Sequence, residues 1–232
     1  MKVGGIWLKT VLMNTLLRII FYPLPKISIS KEEEHAFNHL FESSCKKADK
    51  LIAYNLDIPK YKFLYFLSKN KRVVLHGSNN KDIHTFEPRR QTLFNGEMTT
   101  AIFATKDPMW PIFYAILDKS KIVGNIRNGS VSTNGKKYFH FYSLTKPTLI
   151  NMPWTTGMIY LLPEDTFINI SKGVIKFNEW VSERSVLPIA KMEIEPSDFY
   201  FLNKVASHRS DESVIKSWLL YKVRSLIKVV SK

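Results

Sequence analysis

The chain reads as an α+β fold, and three observations lead to that reading. Helical spacing fills its first third, short strands divided by turn dipeptides fill most of the rest, and regular strand–helix alternation of the βαβ kind is missing. At 232 residues, with 45% hydrophobic and 13% aromatic content, it is long and apolar enough to bury a full core.

The elements follow in order. Residues 1–27 carry Lys2, Lys9, Arg18 and Lys26 and no acidic residue, among Ile6-Trp7-Leu8, Val11-Leu12-Met13, Leu16-Leu17 and Ile19-Ile20-Phe21-Tyr22. Charges at positions 9 and 18 interrupt any run long enough to span a bilayer, and no small-residue cleavage site follows. A basic amphipathic helix closed by Pro23 and Pro25 is expected, packing on the core, with peripheral membrane contact as the alternative. Helical spacing resumes from Lys31 to Lys69, broken at Asn55–Pro59. Strands are expected at 72–76, 100–105, 137–144, 157–162 and 186–195, with a helix at 107–118 that Asp107 caps and Pro108 starts. Asn79-Asn80, Asn95-Gly96, Asn128-Gly129, Asn134-Gly135 and Lys172-Gly173 read as turns. From Glu212 a helical stripe of Trp218, Leu219, Leu220, Val223, Leu226, Ile227 and Val230 runs among lysines and arginines. A helical region (1–69), a strand-rich body (70–205) and a C-terminal helix (206–232) are expected to form one compact unit.

A net charge of +14 and a pI near 9.7 favour nucleic acid, anionic lipid or phosphate-bearing ligands without choosing among them. Cys45 is the only cysteine, so an internal disulfide framework and a multi-cysteine zinc site are excluded. The same fact fits a reducing, cytoplasmic location, and no disulfide-linked partner is expected. Phosphate-loop, dinucleotide-fold and hydrolase-elbow motifs are missing. His35 and His39 stand at i, i+4 but lack the glutamate of H-E-x-x-H, so they read as a solvated helix face, and no metal is expected.

Three segments remain as chemistry. Val73-Val74-Leu75-His76-Gly77-Ser78 is an apolar strand ending on a histidine, a glycine and a hydroxyl, with Arg89 and Arg90 downstream. Thr100–Thr105 runs through Asp107-Pro108 into Trp110, Phe113 and Tyr114. Phe177-Asn178-Glu179-Trp180 precedes the apolar stretch at 186–194. Taken singly, each has a simpler structural reading: a half-buried histidine, core aromatics, a strand-edge carboxylate. Glu193 and Glu195 alternate with apolar residues and read as a solvated face.

In this order the segments resemble the signature of the ADP-ribosyltransferases, in particular the poly(ADP-ribose) polymerase-like branch with its His, Tyr and Glu. The matching residues are Leu75-His76-Gly77-Ser78, Ile102-Phe103-Ala104-Thr105 with Tyr114, and Asn178-Glu179-Trp180, within about 72–195. The resemblance implies a split antiparallel sheet and an NAD site. His76 would bond a ribose hydroxyl, the Gly77 backbone the nicotinamide amide, and Ser78 the ribose or pyrophosphate edge. Tyr114 or Phe113 would stack on nicotinamide, and Arg89 and Arg90 would pair with pyrophosphate. Glu179 would stabilise the charge that develops as the glycosidic bond breaks. The acceptor could be a protein, a nucleic acid or water. Two departures stand out: Ile102 occupies the position of the family's second-strand tyrosine, and Trp180 replaces a tyrosine. They keep open a catalytically silent NAD-binding module, and the basic ends a membrane-surface or partner-docking protein. The RNA 2′-phosphotransferases share a similar strand, but Arg89, Arg90 and Arg127 do not reproduce their arginine-rich site.

Overall fold

The computed structural model describes residues 3–92, 96–135, 137–171 and 175–227. Among these, the helices are α1 (Val3–Ile20), α2 (Lys31–Cys45), α3 (Lys60–Asn70), α4 (Met109–Ala115), α5 (Lys146–Ile150) and α6 (Val214–Leu226). The strands are β1 (Tyr22–Pro23), β2 (Val73–Ser78), β3 (Arg89–Thr92), β4 (Met98–Ala104), β5 (Ile126–Ser132) and β6 (Phe139–Thr145). They continue with β7 (Gly157–Pro163), β8 (Ile168–Asn169), β9 (Lys176–Phe177), β10 (Trp180–Ser182), β11 (Ala190–Ile194) and β12 (Ala206–His208).

The fold is mixed α+β with antiparallel sheets. One sheet runs β11-β7-β2, a second β3-β4-β10-β8, and a third β1-β6-β5-β9, to which β12 adds by pairing parallel with β6. The first two meet where Leu75 exchanges backbone hydrogen bonds with Thr105 (2.7 and 3.0 Å).

The helical first third divides as its breaker suggests. Ser30 and Glu33 close a reciprocal capping box on α2, satisfying donors that the first turn leaves orphaned. That helix buries Phe37 against Phe63 and Phe66 of α3, with ring centroids 5.3 and 5.5 Å apart. The same core takes in Leu75 of β2, Ile112 and Phe113 of α4, Ile159 of β7 and Phe201, so the helical region and the strand-rich body share one interior. His35 and His39 lie exposed on α2.

Some expectations change. Helix α4 is shorter than 107–118, and the strand expected at 186–195 is regular only over Ala190–Ile194. Asn128-Gly129 is not a turn but the middle of β5. Gly129 is needed there because a Cβ would lie 2.7 Å from the Phe141 ring. Asn134-Gly135 is a turn, with Ser132 Oγ accepting from both backbone N–H groups. Lys172-Gly173, Asn95 and Val230 lie outside the described residues. No described helix is long and apolar enough to cross a membrane.

Helices α1 and α6 lie side by side on the third sheet. Their inner sides bury Leu17, Phe21 and Tyr221 against Phe139 and Phe141. Phe21 stacks on Phe141 at 4.7 Å and meets Trp218 and Tyr221 edge-on. Arg127 and Arg224 both pair with Glu212 at the start of α6. The two guanidiniums and the Ser217 hydroxyl hold the Glu212 carboxyl down to about 2.

Candidate functional site

A cleft of about 500 Å³ opens where β2 and β4 diverge beyond the Leu75–Thr105 bridge. Such a volume falls within the range of small-molecule sites. His76, Gly77, Ser78, Arg89, Arg90, Tyr114 and Glu179 all line it, drawn from four separate segments of chain.

His76 is fixed by two contacts. Its Nδ1 donates to the Phe103 carbonyl at 2.6 Å, and its ring meets Phe86 edge-on at 4.8 Å. A carbonyl can only accept, so Nδ1 carries the proton and Nε2 of the neutral ring is an acceptor. Burial keeps the ring neutral by lowering its pKa; the Phe103 bond works the other way, and Lys119 and Arg89 add to the lowering.

Two constraints meet at Gly77. A Cβ there would lie 1.8 Å from the Pro111 carbonyl oxygen, so only glycine lets α4 sit this close to β2. Gly157 plays the same part on β7, where a Cβ would come within 1.9 Å of the Ala115 carbonyl oxygen. The backbone of Gly77 also has a direction. Leu75 spends its N–H and C=O on Thr105, away from β7, and strand alternation turns those of Gly77 to the same edge, toward the cleft.

Helix α4 supplies the aromatic wall. Asp107 Oδ1 accepts from the Met109 and Trp110 N–H groups (both 2.9 Å), the capping role expected of it. That start puts Trp110 and Tyr114, four residues apart, on the cleft side. Tyr114 presents its ring, 36% exposed, while its hydroxyl bonds Asn128; burial raises the phenol's pKa and the Asn128 bond partly offsets this. Phe113 does not reach the cleft. It is fully buried, with its ring 4.8 Å from Tyr142 and 5.7 Å from Phe199, so it is a core residue, and of the two neighbours only Tyr114 lines the cleft.

Glu179 is a buried carboxylate on this surface, only 7% exposed. It precedes β10, whose register sets Trp180 opposite Ala104, and it lies near enough to Tyr114 for its charge to raise that phenol's pKa. Asn178 holds this corner: its Oδ1 accepts from the Lys106 N–H (3.3 Å) and the Trp180 indole (3.2 Å). Its own N–H donates to the Ser130 carbonyl (3.2 Å). Arg89 and Arg90 on β3 are exposed at the rim, and Ser78 Oγ accepts from the Asn80 N–H. Ile102 is almost fully buried and packs with Phe86 and Tyr160.

No family model matches this chain, and no curated protein or solved structure does. Its chemistry is legible only in its own residues.

Trp110 enters the sequence reading in the second segment without a role; it stands four residues before Tyr114 on the same helix face and lines the cleft with it. Lys119, Asn128 and the buried pair of Asp107 with His140 (2.7 Å) had no local signal, because each depends on a contact between distant segments. Burial opposes the Asp107 charge, but His140, Ser130 and the Trp110 N–H outweigh it and hold the carboxyl below its usual range. This pair anchors the start of α4 to β5 and β6, behind the cleft wall. Arg127 is committed to α6 and takes no part in the cleft.

Proposed function

We propose that the cleft binds NAD and that the protein is ADP-ribosyltransferase-like, breaking the bond between nicotinamide and ribose. The observation that carries this reading is the meeting of His76, Gly77, Tyr114 and Glu179 in one cleft, with a buried carboxylate beside an exposed aromatic ring. The divergence of β2 from β4 supports the split-sheet architecture that goes with it.

Each group has a task suited to its chemistry. The Gly77 N–H and C=O match the acceptor and donor of a carboxamide, and the Tyr114 ring offers a stacking face for nicotinamide. His76 Nε2 accepts a hydrogen bond from a ribose hydroxyl. Ser78 contacts the ribose or pyrophosphate edge. Arg89 and Arg90 at the rim pair with the pyrophosphate. Glu179 accepts from a nicotinamide-ribose hydroxyl and opposes the positive charge on the ribose as the C–N bond breaks. The bonding pair leaves with nicotinamide, which becomes neutral. An incoming nucleophile then bonds to the ribose carbon and loses its proton. The acceptor belongs to the class of protein side chains, nucleic acid or water, and needs no metal.

A second reading is a binding module that holds NAD without cleaving it. The buried Ile102 favours it, because a residue sunk against Phe86 and Tyr160 gives no polar group to the substrate.

Nicotinamide release from NAD separates the two. Glu179→Gln is expected to lower release by about 10²- to 10³-fold, the scale of losing one preorganised electrostatic group, while NAD still raises the melting temperature. Equal release by both proteins removes Glu179 from the chemistry. A shift in melting temperature without turnover by the wild type selects the binding module.

A further inference from the structure

The outer sides of α1 and α6 are apolar where a soluble surface is ordinarily polar. On α1, Leu8, Leu12, Leu16 and Ile19 are 53%, 61%, 44% and 63% exposed. On α6, Ile215, Leu219, Val223 and Leu226 are 68%, 58%, 59% and 71% exposed. Each set follows helical spacing, so each forms a stripe. Both helices bury their opposite sides on the same sheet, so both stripes look away from it in the same direction. Scattered exposed leucines need no explanation, but two adjoining stripes do.

Beside them lies a second cleft, of about 820 Å³, lined by Arg18, Lys26, Lys137 and Lys204 around Tyr22 and Tyr200, with no carboxylate among its described lining residues. Lys222 of α6 joins this group: its Nζ donates to the Arg18 carbonyl at 2.7 Å and lies 5.0 Å from the Tyr22 ring centroid. That contact fixes the cleft at the end of the striped face. Lys204 sits over the same ring at 5.3 Å. Burial, and behind it the nearby Arg18 charge, lower the Lys222 pKa.

We infer that the α1–α6 face is a docking surface for an anionic lipid bilayer, with the two stripes entering the interface and the cations of the adjoining cleft meeting lipid phosphates. Charge complementarity selects this occupant. A nucleic acid would satisfy the cations but leave both stripes in water. A second copy would cover the stripes but bring two strongly basic surfaces together. A bilayer rich in anionic lipid accommodates both features at once, as interfacial amphipathic helices do. The surface lies apart from the NAD cleft, and the inference does not depend on that cleft's chemistry.

Cosedimentation of the full chain with vesicles tests it. The wild type is expected to pellet with phosphatidylcholine–phosphatidylserine vesicles, not with phosphatidylcholine alone, and to be released by high salt. The variant L12S/L16S/L219S/V223S changes only exposed positions and should lose binding to the anionic vesicles while keeping the wild-type melting temperature. Lys26→Gln with Lys204→Gln should weaken binding by about fivefold per cation removed. The inference is overturned if the four-serine variant pellets like wild type, or if neither protein pellets with anionic vesicles. It is equally overturned if light scattering finds a dimer that those serines dissociate, or if the glutamine pair abolishes single-stranded RNA binding and leaves vesicle binding unchanged.

Discussion

The cleft and the α1–α6 face break the same rule in opposite directions. In the cleft a charged group is buried, Glu179 at 7% exposed, and the half-buried His76 is held by the Phe103 carbonyl and the Phe86 ring. On the helical face, apolar side chains such as Leu226, 71% exposed, stand in water. Proteins ordinarily bury the apolar and expose the charged, and the proposed NAD site and the inferred docking surface each rest on one of these inversions. The two also differ in rigidity of design. Cleft residues are positioned by backbone bonds, close helix packing and Asn178, whereas the stripes have neighbours on one side only.

That contrast predicts a ladder of effects. Adjacent positions on α4 give the sharpest step. Phe113→Ala should cost about 3–5 kcal/mol of stability, the usual loss for a buried phenylalanine, seen as a lower denaturation midpoint. Tyr114→Ala, at a ring 36% exposed, should lower the midpoint by less than Phe113→Ala does and also weaken NAD binding, measured by calorimetry, on the order of tenfold. Reversal of these two outcomes would exchange the residues' roles.

Gly77→Ala comes next. Its methyl group would collide with the Pro111 carbonyl oxygen, so α4 must shift, at about 3 kcal/mol and with loss of NAD affinity. An alanine variant as stable as wild type would show that the close approach of α4 to β2 is not a constraint.

Acid should loosen the α6 end through Glu212. Glu212 is held at about 2, below the ordinary 4.5, so its ion pairs with Arg127 and Arg224 contribute fully above about 4.5. That contribution fades as pH falls toward about 2, by about 3 kcal/mol in all. Glu212→Gln should therefore flatten the acid limb of the stability profile measured by denaturant titration. Smallest of all, Leu12→Ser or Leu219→Ser should change stability by no more than about 0.5 kcal/mol, since neither leaves a cavity.

The sequence showed the cleft better than the face, for physical reasons. A strand such as Val73–Ser78 announces itself by apolar β-branched residues ending in glycine, and Asp107-Pro108 marks a helix start. The choice between Phe113 and Tyr114 was open because one residue turns a helix by about 100°, and only the packing of α4 on β2 sets the rotation. Asn128-Gly129 misled because the same dipeptide serves tight turns and sites where a neighbouring ring excludes a Cβ, here Phe141. In α1 and the stripe from Trp218 onward, both sides are apolar, so periodicity could not tell the buried side from the exposed one. Leu17 and Tyr221 turned inward and Leu16 and Leu219 outward.

A crystal structure with a non-hydrolysable NAD analogue tests the central claim most directly. The account predicts the carboxamide on the Gly77 N–H and C=O, the nicotinamide ring on Tyr114, and a ribose hydroxyl within hydrogen-bond reach of Glu179. An analogue bound elsewhere, or a cleft in which Glu179 contacts no part of it, would contradict the account.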